Sequence, residues 1–410
     1  MENVYKSNYT DIYGRTESKF DKFCFWFTTI DLLFLPYFTV VSVSFSVPII
    51  ALWMVLNSKK LFYDKEASIY VLMAGAMFFS LIVGLVYNGN VRFETTYTTS
   101  VKRFLQYIIC FGYYFFYKSY FRKKYVEISK IIFIFIMYMS VFALFFLLYP
   151  IKYAELKMAI HPVDNHTQRY LANLISYRFN YLWTDPNNIA YLVCGIFFWY
   201  IYRNECTFNK KLIIFLLTLL ILFSTVSNGG IIIFSFMLFA NILKWIVNKH
   251  KFIIKIKSLY FVLFLSACII AIFTFTQTAN KIYNTFIIGI ISRLSYYLNT
   301  NNLSGGRIND LNIAIKYLNP IFIIVGSGKE GFTYENGHLY WICMYGFISY
   351  IGFIWLMFRK TKTQLWRDYI WVIPFFVAYT MNIAIGEFKW MAIYLMLMAY
   401  SRYGIKRNLN

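Results

Sequence analysis

Residues 129–150 read SKIIFIFIMYMSVFALFFLLYP, a run of apolar side chains interrupted by the single charge of Lys130. About 20 such residues are what an α-helix needs to cross the hydrocarbon core of a bilayer. Similar runs recur along the 410 residues, which are 60% hydrophobic, 22% aromatic and only 14% charged. This composition lies far outside the range of soluble domains, and we predict an all-α polytopic membrane protein.

The apolar runs predict about twelve transmembrane helices within a single integral membrane domain, residues 1–410. The predicted spans are 23–40, 41–57, 67–88, 104–121, 129–150, 187–203, 211–227, 229–248, 258–277, 337–358, 369–386 and 388–403. Cytoplasmic loops are enriched in Lys and Arg. With twelve spans, basic runs such as Lys59-Lys60 and Arg122 to Lys124 all lie on the same side of the membrane. This pattern predicts that both termini are cytoplasmic.

Residues 23–57 leave two interpretations open. They provide only about 35 residues for two crossings and contain Pro36 and Pro48, so one long kinked span is the alternative. Asp31 lies in the first half and is essentially the only charge that we expect within a span. No small-residue cleavage site follows the polar N-terminal stretch, and we expect the first span to act as an uncleaved signal.

Two predicted outside segments are long, at residues 151–186 and 278–336, and we expect them to carry short amphipathic helices. The other outside links are a moderate one at 88–103, a tight turn at Ser227–Gly230 and a short one near Glu387. Long loops in a compact protein usually carry function. We therefore expect the outer face to hold the functional site, with passive connectors as the alternative.

The cysteines and histidines show no metal-binding or disulfide pattern. Five cysteines lie within predicted spans and Cys206 lies inside, so the outside loops contain no pair. The four histidines lack HExxH or similar spacing, and Asp/Glu-rich magnesium motifs are absent. The basic residues are spread between spans rather than clustered. We expect no metal, no other cofactor and no nucleic acid.

The second long segment contains Ser304-Gly305-Gly306-Arg307 just before a predicted helix. Ile308, Leu311, Ile315 and Leu318 recur at helical spacing until Asn319-Pro320 ends the pattern. An arginine beside exposed backbone donors at a helix N-terminus is well suited to hold a phosphate or pyrophosphate. Contact with lipid headgroups is the alternative.

The end of this segment holds three glycines, Gly326, Gly328 and Gly331, that spell GxGxxG without a surrounding βαβ unit. We predict a turn that brings backbone close to a ligand or leads the chain back into the membrane. Glu335 and His338 then lie at the outer mouth of the span 337–358, where either could take a proton from a hydroxyl. A helix-dipole partner and an interfacial polar residue are the respective alternatives.

The first long segment ends in YRFNYLWTDPNN, residues 177–188. Its aromatic residues, Tyr181 among them, suit the membrane interface, and sugar rings stack on such side chains. Asp185 followed by Pro186 is typical of an N-cap with proline at the first helical position. Arg178 is therefore the functional candidate in this segment, and we expect Asp185 to have a structural role as the N-cap.

Several loose motifs follow one another at defined places relative to the spans. They are Arg178 before Asp185-Pro186-Asn187-Asn188, the S-x-G-G turn at 227–230, S-G-G-R at 304–307, G-x-G at 326–328, and Glu335-Asn336 followed by Tyr345-Gly346. In this order they resemble the superfamily of O-antigen polymerases (Wzy) and O-antigen ligases, best over residues 178–352. Ligases typically have His-Asn where this chain has Glu335-Asn336, which favours the polymerase branch. Asn228 stands where an arginine is common, and His338 is not at the place of the ligase histidine.

The resemblance implies a glycosyltransferase of lipopolysaccharide biosynthesis in the bacterial inner membrane, with a periplasmic active site. It would move a growing glycan from undecaprenyl pyrophosphate onto the non-reducing end of an incoming lipid-linked repeat unit. A chain-length-regulating membrane protein is a candidate partner, beside the lipid-linked glycans and membrane lipid. The implied catalytic residues are Glu335, Arg307 and Arg178, and the expected substrate contacts are Arg178, Arg307, Arg293, His338, Tyr181 and Asn187.

Two other functions remain open. The nearer is an O-antigen ligase, which uses a different acceptor in related chemistry. A polysaccharide flippase or other transporter is expected to bury charges within spans and to show an internal repeat. We find essentially only Asp31 within a span and no repeat between the halves, so the transporter is the less favoured alternative.

Overall fold

The computed structural model describes residues 18–37, 44–86, 97–161, 164–172, 177–202, 208–247, 295, 320–328, 336–359, 370–381 and 388–404. These residues form α-helices and short connections, and none of them forms a strand. The prediction of an all-α protein is therefore confirmed for this part of the chain. In chain order the helices are α1 (Lys19–Phe34), α2 (Val47–Leu56), α3 (Ser58–Phe62), α4 (Lys65–Val86), α5 (Tyr97–Lys123), α6 (Ile128–Leu148), α7 (Pro150–Ile160), α8 (Asn165–Leu171), α9 (Pro186–Ile201), α10 (Phe208–Thr225), α11 (Asn228–Val247), α12 (Pro320–Val325), α13 (Gly337–Phe358), α14 (Ile373–Met381) and α15 (Phe388–Tyr403).

Four of the described helices, α4, α6, α10 and α13, are long and apolar enough to cross a membrane. They coincide with the predicted spans 67–88, 129–150, 211–227 and 337–358. Described helices also overlap seven of the other predicted spans, some of them only in part, whereas 258–277 lies outside the described residues. The described residues thus support a membrane-embedded helical protein, and the twelve-span topology stays a prediction.

The described residues between 23 and 57 form two separate helices rather than one kinked helix. Helix α1 ends at Phe34 and is followed by Leu35, whose backbone is extended, and α2 begins at Val47 with Pro48 in its first turn. Proline suits this position because the first amides of a helix have no partner within it. Helix α2 has only 10 residues, about half of what a crossing needs.

The chain divides into two compact units, which the sequence did not predict. One comprises residues 1–128, 306–366 and 376–410, and the other residues 129–305 and 367–375. In the first unit the central helix is α15, of whose 16 residues 14 are buried. A helix that is apolar on every side belongs in a core, and α15 packs against α5 through contacts such as Phe121 with Tyr400.

Buried charges occur in this first unit at more positions than Asp31. Lys389 on α15 donates to Asp31 on α1 at 2.9 Å, and both residues are 0% exposed. Asp31 also accepts from the backbone and hydroxyl of Ser46, at 2.6 and 2.5 Å, and from Ser44. Because Lys389 lies inside the predicted span 388–403, the expectation that essentially only Asp31 is charged within a span was wrong.

A second buried cluster joins helix ends that the predicted topology places in the cytoplasm. Lys118, near the end of α5, contacts Asp64 and Glu66 at the start of α4, each at 2.6 Å. Arg402, at the end of α15, donates to Tyr114 and to the last carbonyls of α13. These four helix ends therefore lie together, and their cytoplasmic location stays a prediction.

The second unit is built around α9, of whose 16 residues 14 are buried. Helix α10 and helix α11 pack against it, with Phe197 contacting Phe215 and Phe234. The first long segment, which we predict to lie outside, carries two short helices, α7 and α8. The buried face of α7 consists of Tyr153, Ala154 and Lys157, and its exposed face is mixed rather than purely polar.

Candidate functional site

The segment 177–185 of the second unit carries Arg178 and leads into α9. Asp185 caps α9 by accepting from the backbone N–H of Asn187 at 2.7 Å, and Pro186 takes the first helical position. The predicted N-cap is therefore confirmed. The cap satisfies one of the amides that a helix start leaves without a partner.

The S-x-G-G turn starts helix α11 in a similar way. Ser227 Oγ accepts from the backbone N–H of Gly230 at 3.3 Å, and the Ser227 carbonyl accepts the first helical hydrogen bond at 3.0 Å. A Cβ added to Gly230 would lie 2.6 Å from the Cβ of Ala190, and one added to Gly229 would meet the Tyr191 hydroxyl. The serine caps the helix, and the glycines allow α11 to approach α9 closely.

Arg178 connects these two helix starts. Its Nε donates to the Thr225 carbonyl at 2.9 Å, and one terminal nitrogen donates to Asn187 Oδ1 at 2.8 Å. Ser227 Oγ also donates to Asn187 Oδ1, at 3.0 Å. The guanidinium therefore lies where the N-termini of α9 and α11 meet.

The electrostatics of this place favour an anion. Each helix N-terminus carries about half a positive charge, and the guanidinium adds a full one. Asp185 offsets about one charge, and the C-terminus of α10, whose Thr225 carbonyl accepts from Arg178, offsets about half a charge. The net charge is thus roughly +0.5 around two sets of backbone donors, an arrangement that binds phosphates in many proteins. Asn187 Oδ1 accepts from both Arg178 and Ser227, and the buried Asn228 Oδ1 has no hydrogen-bond donor within the described residues.

A buried ion pair between α7 and the start of α8 holds the loop backbone beside Arg178. Lys157 contacts Asp164 at 2.5 Å and donates to the Trp183 carbonyl at the same distance. Asp164 caps α8 and also accepts from Thr167 at 2.6 Å and from Asn180 at 3.0 Å. The pair thus joins α7 and α8 to the segment that carries Arg178.

The charge state of this anchor follows from its surroundings. Burial alone would raise the pKa of Asp164, but the Lys157 ammonium and the hydrogen bonds from Thr167 and Asn180 lower that pKa below its ordinary value. Burial lowers the pKa of His161, against the attraction of Asp164. At neutral pH the carboxylate is therefore ionised and the imidazole is neutral.

Tyr181 lies in the core rather than on a surface. Its ring is 0% exposed and lies among Phe135, Tyr138 and Phe142 of α6, with centroid distances of 6.1, 6.2 and 5.7 Å. Its φ is +50°, and its carbonyl accepts from Tyr153 at 2.7 Å. This placement does not support the prediction that Tyr181 stacks against a sugar, and it assigns the residue to the anchoring of the loop.

His338 belongs to the first unit, in the first turn of α13. Asn336 caps that helix and accepts from the amides of His338 and Leu339 at 3.0 and 3.2 Å. The two imidazole nitrogens contact the Phe376 carbonyl at 3.1 Å and the Tyr350 hydroxyl at 3.0 Å. These contacts fit a histidine that joins helices, and its predicted contact with substrate is not tested.

Arg293, Arg307 and Glu335, together with the predicted helix after Arg307, lie outside the described residues.

The G-x-G turn packs against a kink in α13. Gly346 has a φ of +82°, which breaks the helix, and the amides of Ser327 and Gly328 donate to the Cys343 and Met344 carbonyls at 2.8 and 2.9 Å. A Cβ on Gly326 would lie 2.6 Å from the Gly346 nitrogen. The described glycines thus let two stretches of backbone meet, which accounts for both G-x-G and Y-G, while the rest of the predicted turn, with Gly331, lies outside the described residues. Among the described residues no group of three or more His, Cys, Asp or Glu side chains could hold a metal ion.

Comparisons with family models, with curated proteins and with solved structures find no match to this chain. The resemblance to O-antigen polymerases therefore stays a prediction. The geometry of Arg178 and the two helix starts is the observation on which a function can be argued.

Proposed function

We propose that the protein is an O-antigen polymerase, a glycosyltransferase of the bacterial inner membrane. It moves the growing glycan from undecaprenyl pyrophosphate onto the non-reducing end of an incoming lipid-linked repeat unit at the periplasmic face. The observation that carries the proposal is the Arg178 guanidinium at the joined N-termini of α9 and α11.

In this reaction the bond between the anomeric carbon of the growing chain and the pyrophosphate oxygen breaks. An acceptor hydroxyl forms the new glycosidic bond and gives up its proton, and the lipid pyrophosphate leaves with the bonding electrons. Arg178 and Arg307 hold the pyrophosphate and stabilise the negative charge that grows on it. Glu335 orients or deprotonates the acceptor hydroxyl. Pyrophosphate is already a good leaving group, so the mechanism needs no metal.

The second unit offers further groups for the same ligand. Asn187, whose Oδ1 accepts from Arg178, also carries an amide donor, Nδ2, and Asn228 Oδ1 is a buried acceptor on the first residue of α11. A sugar phosphate presents both oxygens and hydroxyls and would use both groups. Asn228 stands where related sequences often have arginine, and here Arg178 brings a guanidinium to the same turn through Asn187 and Thr225.

The proposal predicts the effect of separate substitutions on glycan polymerisation. Arg178→Ala, Arg307→Ala and Glu335→Gln are each expressed in a strain that lacks the wild-type gene, and the lipopolysaccharide is separated on a gel. We expect long ladders to be lost or strongly shortened, because removing one donor to a developing oxyanion lowers a rate by about 10²–10³. Arg178→Lys should recover little, since an ammonium cannot reproduce the two-pronged contact.

Arg169→Ala is the matched control, because Arg169 is an exposed arginine on α8 in the same outside segment. Immunoblots of membranes must show equal amounts of all variants. Long ladders in all three site variants would refute the site assignment. In the null strain, core with one repeat unit supports a polymerase, whereas core without any repeat unit indicates a ligase or a flippase and refutes the proposal.

A further inference from the structure

The loop that carries Arg178 is non-helical, and its backbone needs partners from outside the loop. Residues 177–180 run without helical hydrogen bonds, and a turn and a bend follow before α9 starts. Buried carbonyl groups without donors are costly, so each one in such a loop is normally satisfied. The donors that satisfy this loop therefore decide where Arg178 is placed.

These donors come mainly from one buried face of α7. Tyr153 donates to the Tyr181 carbonyl at 2.7 Å, and Lys157, one helical turn later, donates to the Trp183 carbonyl at 2.5 Å. Asn180 donates to the Thr184 carbonyl at 3.2 Å and to Asp164 at 3.0 Å. The loop is thus held at several points between Arg178 and the start of α9.

The Lys157–Asp164 pair is the centre of this anchor. The two side chains are 2% and 0% exposed, so neither charge can exist there without the other. The charges of the pair are not used in the proposed reaction. At Arg178 and Phe179 the loop contacts the end of α10, where the Phe179 N–H donates to the Ser224 carbonyl and Arg178 Nε donates to the Thr225 carbonyl, both at 2.9 Å.

We propose that Lys157 and Asp164 are positioning residues that hold the Arg178 guanidinium between the N-termini of α9 and α11. This inference rests on the proposed function, because it assigns the pair to the pyrophosphate-binding arginine. The pair acts through the loop backbone and does not touch the substrate. Its loss lets the loop move and displaces the guanidinium from the two helix starts.

The structural half of the proposal is tested by hydrogen exchange on the purified full-length protein in detergent. In Asp164→Asn and Lys157→Met, amides of peptides covering 177–185 should exchange roughly tenfold faster or more, whereas peptides from α9 and α15 should change little. The double variant Lys157→Met/Asp164→Asn buries no unpaired charge and should lie closer to the wild type than either single variant. Unchanged exchange at 177–185 in both single variants would overturn the proposal.

The controls lie on the opposite face of the same helix. Lys152→Met and Glu155→Gln make comparable chemical changes at exposed positions of α7. Both should leave exchange at 177–185 and activity at the wild-type level. Equal effects of the control and test substitutions would show a general disturbance of α7 and would also overturn the proposal.

The functional half is tested by a double-mutant cycle on turnover of an undecaprenyl-pyrophosphate-linked repeat unit. Asp164→Asn should lower kcat/KM roughly tenfold to a hundredfold, as expected when a catalytic cation is displaced by about 1 Å. Combined with Arg178→Ala it should add little further loss, because both changes remove the same interaction. Losses that multiply fully would show that the pair acts independently of Arg178 and overturn this inference alone. Full activity of Arg178→Ala would instead refute the proposed function.

Discussion

The buried pair between Asp31 and Lys389 gives a sharp prediction for Lys389→Met. The substitution leaves the Asp31 carboxylate buried with only its hydroxyl and amide donors from Ser44 and Ser46. The lost attraction at 2.9 Å is about 6 kcal/mol at an effective dielectric constant of about 20, before desolvation is counted. Breaking a buried pair on one side is expected to cost about 3–5 kcal/mol. This is a large share of the roughly 5–15 kcal/mol that stabilises a typical protein.

The double variant Asp31→Asn/Lys389→Met separates the charge from the hydrogen bonds. It removes both charges but also leaves the Leu35 and Pro36 carbonyls, which accept from Lys389 at 2.9 and 3.0 Å, without that donor. A buried acceptor without a donor costs about 1–3 kcal/mol. We therefore expect partial recovery, with a coupling energy of about 2 kcal/mol between the two substitutions.

Thermal unfolding in detergent, followed by fluorescence-detected size exclusion, measures these effects. Lys389→Met should lower the midpoint by on the order of 10 °C, and Lys22→Met, at an exposed position of α1, should hardly change it. An unchanged midpoint for Lys389→Met would refute the argument. Persistent polymerisation in the double variant would argue against a transporter that needs these charges, whereas loss of activity at full stability would refute a purely structural role.

Three further results are expected from thermal unfolding. Gly328→Ala should lower the free energy of unfolding by about 2 kcal/mol or more, because its φ is +63° and the new Cβ would lie 2.7 Å from the Ser80 carbonyl carbon. Gly75→Ala is the control: its new Cβ meets open space, so the substitution should be neutral or stabilising. Ser227→Ala should cost about 1 kcal/mol through loss of the α11 cap, and an unchanged midpoint would contradict that role. The folded-state pKa of Asp164 is lowered from its ordinary value of 3.8, so its stabilising contribution is present above that pH and lost as pH falls through the folded pKa. The wild-type midpoint should therefore fall more between pH 6 and pH 3 than that of Asp164→Asn, and parallel curves would show that the pair contributes nothing.

The helices of this protein could largely be predicted from hydropathy, because the membrane imposes one local rule on every span. The predicted span 388–403 coincides with α15, and 337–358 coincides with α13. The cap at Asp185-Pro186 was also predictable, since the cap and the amide that it satisfies are two residues apart. Such features depend on neighbouring residues alone.

The contacts that build the site and the buried ion pair of the first unit depend on residues far apart in the chain. Arg178 and its acceptor Thr225 are separated by 47 residues, and Asp31 and Lys389 by 358. A rule could still have found the second pair, because a lysine inside an apolar helix needs an acidic partner in another span. For the positive φ of Tyr181 no signal exists, because tyrosine rarely adopts this conformation and only the surrounding contacts stabilise it.

The motifs that carry the resemblance differ in what they explain. S-x-G-G is a helix cap with a close helix approach, and Y-G marks the kink at Gly346. Both would be needed in any protein with this packing, so they follow from the packing and say nothing about the reaction. Arg178 is different, because neither helix start needs a guanidinium: Asp185 and Ser227 already cap α9 and α11. The repulsion from the two N-termini, roughly 0.3–1 kcal/mol each, is offset by Asp185 and by the Thr225 carbonyl at the C-terminus of α10. A guanidinium beside two sets of backbone donors suits a phosphate-bearing ligand, so Arg178 supports the proposed reaction more than the glycine motifs do.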